Sequence, residues 1–393
     1  MTSKLEELIA KLCPNGVEYK TLVEVCNFKY GKGNTIPDIE GEYPVYGCNG
    51  IVGSTNEFNN EDAPIIGHIG SAGIVNWGEG KHFVTYNGTM CKVKQELMTS
   101  RYLYHLLCVM NLPQYVKGSQ PFLSYGDFSK VKIPVPPLEV QREIVRILDN
   151  FTELTAELTA ELTARKKQYE YYRDALLTFD DNNPLHSLIS RYCPNGVEYY
   201  SLEELFVIKN GYTPSKSNSE FWTDGTVPWF RMDDIRAHGR VLSDSIQRVT
   251  KSAVKGGKLF PANSIILATT ATIGEHALVI VDSLANQRFT FFSKRESLGF
   301  DLDMKYVFYY FFIVDEWCKR NVNAASFASV DMPRLRKLEI PVPPLEVQSK
   351  IVQILDRFDA LCNDLTQGLP AEIEARRKQY EYYRDQLLTF KRA

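Results

Sequence analysis

The hydrophobic positions between residues 138 and 179 recur at steps of three or four residues, a spacing typical of a long helix that packs along another helix. These positions are Ile144, Ile147, Phe151, Leu154, Leu158, Leu162, Tyr169, Tyr172 and Leu176. With Arg165 placed between Leu162 and Tyr169, the steps alternate between three and four residues except for one additional step of four. The pattern predicts a helix over residues 138–179 with a coiled-coil seam; an ordinary surface helix is the alternative.

The additional step falls within a tandem repeat, TELTAELTAELTA, at residues 152–164. Removing one Thr-Ala-Glu-Leu unit would restore a regular heptad, so the repeat is interpreted as a spacer inserted into the helix. One unit changes the helix length by about 6 Å and its rotation by about 40°. A base pair advances about 3.4 Å along DNA and turns about 35°. A helix that varies in such steps suits a ruler held against a DNA duplex.

The chain also contains an internal duplication. The matching pairs are CPNGVEYKTL and CPNGVEYYSL (residues 13–22 and 193–202), IPVPPLEVQ (133–141 and 340–348), and ARKKQYEYYRDALLTF and ARRKQYEYYRDQLLTF (164–179 and 375–390). The segments between the first two matches show little resemblance between copies, whereas the helical segments match closely. Two variable domains therefore alternate with two near-identical helical segments.

These matches define four predicted regions. The first variable domain, with a short N-terminal helix, covers residues 1–136, and its helical spacer covers 137–184. The second variable domain covers residues 185–343, and the C-terminal helical spacer covers 344–393. Short β-branched stretches and glycine turns predict mixed α/β domains without a parallel βαβ rhythm.

The predicted elements inside the domains are few. They are a helix at residues 102–110, strands at 264–268, 277–281 and 289–292, and a helix at 304–317. Gly368-Leu369-Pro370 predicts a kink or break in the second long helix.

Composition and motifs exclude several classes of function. Of the residues, 44% are apolar and 24% charged, and the net charge of −3 argues against binding polyanions over the whole surface. Eight cysteines show no metal-ligand spacing, and we expect them to be reduced in a cytoplasmic protein with no membrane segment. Phosphate-loop, dinucleotide, HExxH, GxSxG and adenine-methyltransferase signatures are missing. No catalytic residue, metal site or cofactor is therefore predicted for this chain.

The second variable domain carries a local excess of positive charge. Residues 231–258 include seven basic and three acidic side chains, a surplus of four that suits contact with phosphates, although a solvated charged face is the alternative. Nearby hydroxyl and amide side chains suit base edges. The predicted DNA-contacting residues of this domain are Tyr212, Thr213, Ser215, Lys216, Arg231, Arg236, Thr270, Thr272, Asn286 and Gln287.

The first variable domain has no comparable charge surplus. Its predicted DNA-contacting residues are Lys29, Tyr30, Lys32, Tyr46, Asn49, His68, Ser71, Asn87, Lys117 and Gln120. For each of these a structural role is the competing interpretation. A third set is predicted to form the helix seam and dock other subunits: Phe151, Leu154, Leu158, Leu162, Tyr169, Tyr172, Phe358, Leu361, Tyr380 and Tyr383. Outward-facing tyrosines, Tyr171 and Tyr382, are hypothesised to contact partner subunits.

Together, the alternating domains, the IPVPPLEVQ helix starts, the RKKQYEYYRD helix ends and the tandem repeat resemble the specificity subunit of type I restriction–modification systems, with the repeat resembling the type IC branch. GHIGSAG at 67–73, GYTPSKSNSEFW at 211–222, VPW at 227–229 and PANSI at 261–265 resemble motifs of target recognition domains.

The resemblance implies a division of labour. Each variable domain would read one half of a bipartite, asymmetric DNA target. The two conserved helices would pack as an antiparallel coiled coil in a pseudo-twofold molecule and set the gap between half-sites. They would also dock two modification subunits, which bring S-adenosylmethionine and the adenine methyltransferase site. Restriction subunits would add cleavage that depends on ATP and Mg²⁺.

Three classes of function are weighed. The first is a non-catalytic DNA-specificity subunit. The second is a self-sufficient methyltransferase or nuclease, which the missing signatures oppose. The third is a coiled-coil scaffold without DNA specificity, which the duplicated variable domains oppose because a scaffold alone does not need them.

Overall fold

A computed structural model describes residues 3–33, 40–323, 328–364 and 366–393. It forms two compact units: Met1–Ala160 with Ala371–Ala393, called the first unit, and Glu161–Pro370, called the second unit. The boundaries predicted from the sequence matches follow a different criterion and remain predictions. Among the helices in the described ranges, none is both long and apolar enough to cross a membrane.

The first unit is built on a six-stranded sheet in the order β2-β7-β5-β6-β3-β4, together with a two-stranded β1-β8 pair. Only the β3–β6 pair of the larger sheet is parallel. The elements are α1 (Ser3–Leu12), β1 (Tyr19–Thr21), α2 (Leu22–Val25), β2 (Cys26–Tyr30), β3 (Tyr43–Gly47), β4 (Gly50–Thr55), β5 (Asn60–Gly67), β6 (Val75–Val84), β7 (Gly88–Val93), α3 (Ser100–Val109), α4 (Tyr125–Phe128), β8 (Lys132–Pro134) and α5 (Leu138–Leu177). Helix α5 continues into the second unit.

The second unit contains a five-stranded sheet in the order β10-β17-β14-β15-β12 and a three-stranded sheet, β13-β11-β16. Its elements are α6 (His186–Tyr192), β9 (Tyr199–Ser201), α7 (Leu202–Leu205), β10 (Phe206–Asn210), β11 (Val227–Phe230), α8 (Met232–His238), β12 (Val241–Leu242), β13 (Arg248–Val249), β14 (Ser264–Ala268), β15 (His276–Val279), β16 (Leu284–Ala285), β17 (Phe289–Lys294), α9 (Met304–Arg320), β18 (Val322–Asn323), β19 (Ser329–Val330), α10 (Met332–Arg336), β20 (Glu339–Pro341) and α11 (Leu345–Asn363). Helix α12 (Leu369–Leu387) begins at its boundary and belongs mainly to the first unit.

The start of α5 and the end of α12 pack in opposite directions in the first unit. The Tyr19 hydroxyl, on the strand paired with Pro134, donates to the Phe390 carbonyl oxygen at 2.9 Å. Further along α5, the Phe151 ring stacks on Tyr383, which precedes Phe390, with ring centroids 5.5 Å apart. The C-terminal end of α12 therefore lies beside the N-terminal end of α5.

The heptad pattern agrees with burial along α5. Seam positions are buried or half-buried, whereas the glutamates of the repeat are exposed. In the second unit Tyr172 stacks on Phe358 with centroids 5.6 Å apart. Leu361 is exposed and so does not share this buried seam.

The predicted break in the second long helix is present, because α11 ends at Asn363 and α12 begins at Leu369. A Cβ atom on Gly368 would lie 2.5 Å from the Ala360 carbonyl oxygen, so this turn requires glycine.

Candidate nucleic-acid interface

The same backbone hydrogen bonds recur in both units at the end of an apolar strand. In the first unit they run from Gly67 N to Ile74 O, Gly73 N to Gly67 O, His68 N to Asn87 O and Leu123 N to His68 O, at 2.7–2.9 Å. In the second unit they run from Ala268 N to Glu275 O, Gly274 N to Ala268 O, Thr269 N to Arg288 O and Val330 N to Thr269 O, at 2.8–3.2 Å. We call this set of bonds the shared frame.

A glycine completes the shared frame in each unit. Gly31 N donates to Gly88 O at 3.0 Å, and Gly211 N donates to Phe289 O at 2.8 Å. A Cβ atom would lie 2.1 Å from the Thr85 carbonyl oxygen at Gly31 and 2.5 Å from the Ala285 carbonyl oxygen at Gly211. Each position therefore needs glycine because a loop backbone passes directly against it.

The shared frame identifies corresponding side chains, with isolated bridges pairing Ile69 with Phe122 and Thr270 with Ser329. The corresponding positions are Tyr30 and Asn210, His68 and Thr269, Ile69 and Thr270, Tyr86 and Gln287, and Phe122 and Ser329. All five residues are aromatic or apolar in the first unit. In the second unit all five carry a hydroxyl or an amide.

In the first unit these side chains surround a cavity of about 440 Å³, lined by Tyr30, His68, Ile69, Tyr86, Gln120, Phe122 and Ser124. Tyr30 stacks on His68 with centroids 4.1 Å apart. Tyr86 and Phe122 stand nearly perpendicular to His68, with interplanar angles of 83° and 88°. The structure thus brings three of the predicted residues, Tyr30, His68 and Gln120, to one site.

His68 is 5% exposed and held in one orientation. Its Nδ1 atom lies 2.7 Å from the Leu123 carbonyl oxygen, which can only accept a hydrogen bond. Nδ1 of the neutral ring therefore carries the proton, and Nε2 is an acceptor.

In the second unit two of the corresponding residues, Asn210 and Thr269, are linked through the hydroxyl of Thr290. The Thr290 hydroxyl donates to Asn210 Oδ1 at 2.9 Å, so the Thr269 hydroxyl, 3.0 Å away, donates to Thr290. The Thr213 hydroxyl donates to Gln287 Oε1 at 2.5 Å. Of these groups the Gln287 amide is exposed and can read a base edge, whereas the Thr269 and Thr290 hydroxyls are buried.

Two tryptophans position the neighbouring loop. The indole N–H of Trp229 donates to the Tyr212 carbonyl oxygen, and that of Trp222 donates to the Ser215 carbonyl oxygen, both at 3.0 Å. The Tyr212 hydroxyl accepts from Lys255 N at 2.8 Å, and the Lys255 ammonium lies 4.7 Å from the Tyr212 ring centroid. The predicted residues Tyr212 and Ser215 therefore lie next to a basic segment.

Ion pairs neutralise part of the basic stretch at residues 231–258. Arg248 pairs with Asp244 at 2.5 Å, and this pairing lowers the pKa of Asp244. Arg231 and Arg236 lie 3.8 and 4.0 Å from Asp233. Three exposed lysines of the stretch have no ion pair within the described residues: Lys251, Lys255 and Lys258.

Other predicted residues lie apart from the shared frame. Tyr46 is 7% exposed and packs in a small core cluster with Ile65, Val84 and Met90, so the structure gives it a packing role. Burial raises the pKa of the Tyr46 hydroxyl. Thr272 and Arg236 line two other cavities of the second unit, of about 660 and 900 Å³.

The remaining predicted residues are at or near the surface. Lys117 is paired with Asp127. Those that are exposed or half-buried are Lys29, Lys32, Asn49, Ser71, Asn87, Thr213, Lys216, Thr270 and Asn286. Their DNA contacts remain predictions.

A family model described as the type I restriction modification DNA specificity domain matches residues 14–165 and 194–375, one copy for each repeat. The chain belongs to this family. It is 31% identical to the putative type I restriction enzyme specificity subunit S.HindORF215P of Haemophilus influenzae over 395 residues, 95% of this chain and 96% of the relative.

Two Escherichia coli specificity subunits are also similar. Identity to the EcoR124I/EcoR124II subunit is 39% over 77% of this chain and 73% of the relative. Identity to the EcoprrI subunit is 54%, and that match spans only half of each chain. The interpretation as a specificity subunit is thus confirmed over the scaffold alternative, while assignment to the type IC branch remains a prediction.

Solved structures agree on the fold. A type I restriction–modification S subunit from M. genitalium has a TM-score of 0.60 at 15% identity, covering 95% of this chain and 96% of that one. A chain from a study of complex assembly and conformational transition of the type I R-M system has a TM-score of 0.59 at 16% identity, covering 95% and 98%. The mixed α/β fold with two repeated domains and long helices is confirmed.

The predicted DNA-contacting residues do not include six members of the corresponding set: Ile69, Tyr86, Phe122, Asn210, Thr269 and Ser329. A signal for one of them, Thr269, is present in the sequence. In both repeats a glycine, Gly73 or Gly274, follows the end of an apolar strand at the same distance. Aligning the repeats on that glycine would have paired His68 with Thr269.

Proposed function

We propose that this chain is the non-catalytic specificity subunit of a type I restriction–modification complex, in which each unit reads one half of an asymmetric bipartite DNA target. The supporting observation is the shared frame, which presents aromatic side chains in the first unit and hydroxyl and amide side chains in the second. To read two different half-sites, the two units need different side chains on the same backbone framework.

In this proposal phosphate contacts and base contacts come from different residues of the second unit. Lys251, Lys255 and Lys258 would contact phosphates, which position the protein without reading sequence. Gln287 and Asn286 would address base edges, because side-chain amides form paired hydrogen bonds with adenine. The uninterrupted α5, which carries the repeat, would set the gap between half-sites.

We place the partner subunits at two equivalent tyrosines of the long helices. Tyr171 is 70% exposed and Tyr382 is 61% exposed, and each packs edge-on against the tyrosine that follows it. An exposed aromatic side chain repeated at the same position suits a partner contact. Two modification subunits would dock there in the cytoplasm and supply S-adenosylmethionine and the methyltransferase site. Restriction subunits would supply the chemistry that depends on ATP and Mg²⁺.

Substitution of both tyrosines tests this docking surface. The double variant Tyr171→Asp, Tyr382→Asp should abolish co-purification of the modification subunit, since a charge would then enter an apolar contact. Tyr192→Asp, at another exposed tyrosine, is the matched control and should leave co-purification unchanged. Full recovery of the modification subunit with the double variant would contradict the assignment.

Methylation mapping tests the proposed function itself. DNA from cells that express this chain with its modification subunit is compared with DNA from cells that express the modification subunit alone. We expect a bipartite adenine-methylated motif only when both are present. Methylation of that motif without this chain, or by this chain alone, would contradict the proposal.

A further inference from the structure

The aromatic side chains that line the cavity of the first unit correspond to polar side chains in the second unit. Its two exposed rings, Tyr86 and Phe122, are 40% and 39% exposed, although rings of this size are usually covered in a folded domain. At the corresponding positions the second unit has Gln287 and Ser329. The shared frame therefore does not demand aromatic residues at these positions.

The cavity has a polar group that lacks a partner. His68 Nε2 is an acceptor, because Nδ1 donates to the Leu123 carbonyl oxygen at 2.7 Å, and no described residue donates to Nε2. The His68 side chain is more than nine-tenths buried and lines the cavity. A flat aromatic ligand that carries a hydrogen-bond donor would match both the exposed rings and the free Nε2 acceptor.

The exocyclic amino groups of adenine and cytosine are such donors, and every base has a face that stacks on aromatic side chains. A thymine methyl group projecting from the major groove would fill only a small part of about 440 Å³. The size and the three rings around the opening favour a whole base. Removing a base from the stack costs energy that stacking on aromatic side chains offsets.

We propose that this cavity binds one nucleobase of the half-site read by the first unit, unstacked from the duplex, with its exocyclic amino group donating to His68 Nε2. This rests on the proposed DNA-reading function. Tyr86 and Phe122 stack against the base, and His68 accepts the hydrogen bond from its amino group.

Variants that copy the second unit keep the shared frame. Tyr86→Gln and Phe122→Ser, made together, place the second unit's side chains in the cavity. His68→Asn keeps an amide nitrogen that can donate to the Leu123 carbonyl oxygen, but its shorter side chain leaves no acceptor at the position of Nε2. Phe58→Ser is the matched control, since Phe58 is an exposed phenylalanine of the first unit that contacts Tyr43 rather than the cavity.

The first experiment maps adenine methylation in cells that express each variant with the modification subunit. The double variant and His68→Asn should each relax the sequence requirement at the same single position of one half-site. The other half-site and the gap should stay unchanged, and Phe58→Ser should give the wild-type motif. An unchanged motif for both cavity variants would overturn the proposal.

The second experiment measures binding of the purified complex to duplexes that carry a mismatch opposite that position. An unpaired base costs less to extrude, so the wild-type complex should bind the mismatched duplex about tenfold or more tightly than the matched one. The double variant should lose this gain. Equal binding of both duplexes by the wild type would show that the base stays stacked and would overturn the proposal. Failure of the proposed function would look different, because no bipartite motif would appear even with the wild-type chain.

Discussion

The two units share their buried hydrogen bonds and differ in the side chains that those bonds present. His68 and Thr269 make the same backbone contacts, yet one joins an aromatic stack and the other a chain of hydroxyls. Buried backbone N–H and C=O groups must be hydrogen-bonded. These bonds, and the glycines that a loop backbone contacts closely, are the same in both units. The side chains at the opening are free to vary, and we infer that specificity resides there.

The contacts between each domain and its long helix also combine shared hydrogen bonds to the backbone with differing side-chain pairs. Gln141 and Gln348 are fully buried at equivalent positions, and each bonds three backbone groups. Asp149 and Asp356 also correspond, but Asp149 binds Arg101 and His105, whereas Asp356 binds Lys305 and Tyr309. The buried backbone groups are hydrogen-bonded by the same residue type in both units, whereas the residues that form the ion pair near the surface differ between the units.

The buried glutamines allow the largest effect on either unit. Gln141→Leu or Gln348→Leu leaves three backbone groups without partners, and we expect each to lower the free energy of unfolding by about 3 kcal/mol. Hydrogen exchange in α3 should report the first change and exchange in α9 the second. Gln353→Leu, at an exposed glutamine of α11, is the control. A loss no larger than that of the control would contradict the assigned role.

Smaller effects, of opposite sign in the two units, are expected at the loop tips of the shared frame. Gly70 has φ of 85° and the corresponding Ala271 has φ of 66°, a region that disfavours residues with a Cβ atom. Gly70→Ala should therefore destabilise by about 1–2 kcal/mol, and Ala271→Gly should stabilise by a similar or smaller amount. Gly299→Ala, where the added Cβ meets nothing within 4 Å, is the control for thermal unfolding. Changes of the same sign at both loop tips would contradict the correspondence.

The smallest effect concerns acid stability and should be confined to the first unit. Hydrogen bonds from Arg146 and Lys4 lower the pKa of Glu143 to about 2, and the second unit has Lys350 at the equivalent position. Because the folded pKa is depressed, this stabilisation is present above the ordinary value of 4.5 and is lost as pH falls towards about 2.

Glu143→Gln should therefore destabilise the first unit at pH 7 by less than about 1 kcal/mol, since both partners are half-exposed or more. The difference from the wild type should vanish near pH 2 when unfolding is followed by denaturant titration. Glu153→Gln, an exposed change on the same helix, is the control. A difference that persists unchanged at pH 2 would rule out titration of Glu143 as the cause.

Local patterns predicted the helices well and the reading surface only in part. The heptad spacing located α5 to within two residues, and Gly368 with Pro370 located the break, because helix propensity and burial act over neighbouring residues. Tyr46 lies in a core cluster, which its neighbours in sequence do not reveal, because an aromatic residue beside glycines suits either a loop surface or a core. The correspondence between His68 and Thr269 depends on bonds to Asn87 and Arg288, which are distant in sequence and chemically unlike.

The central claim is that corresponding loops of the two units read separate half-sites. Tyr86→Ala in the first unit and Gln287→Ala in the second, each expressed with the modification subunit, should be mapped side by side for adenine methylation. We predict that each variant relaxes bases in one half of the bipartite motif, and that the two affected halves differ. Relaxation of the same half by both variants, or of both halves by either one, would contradict the account.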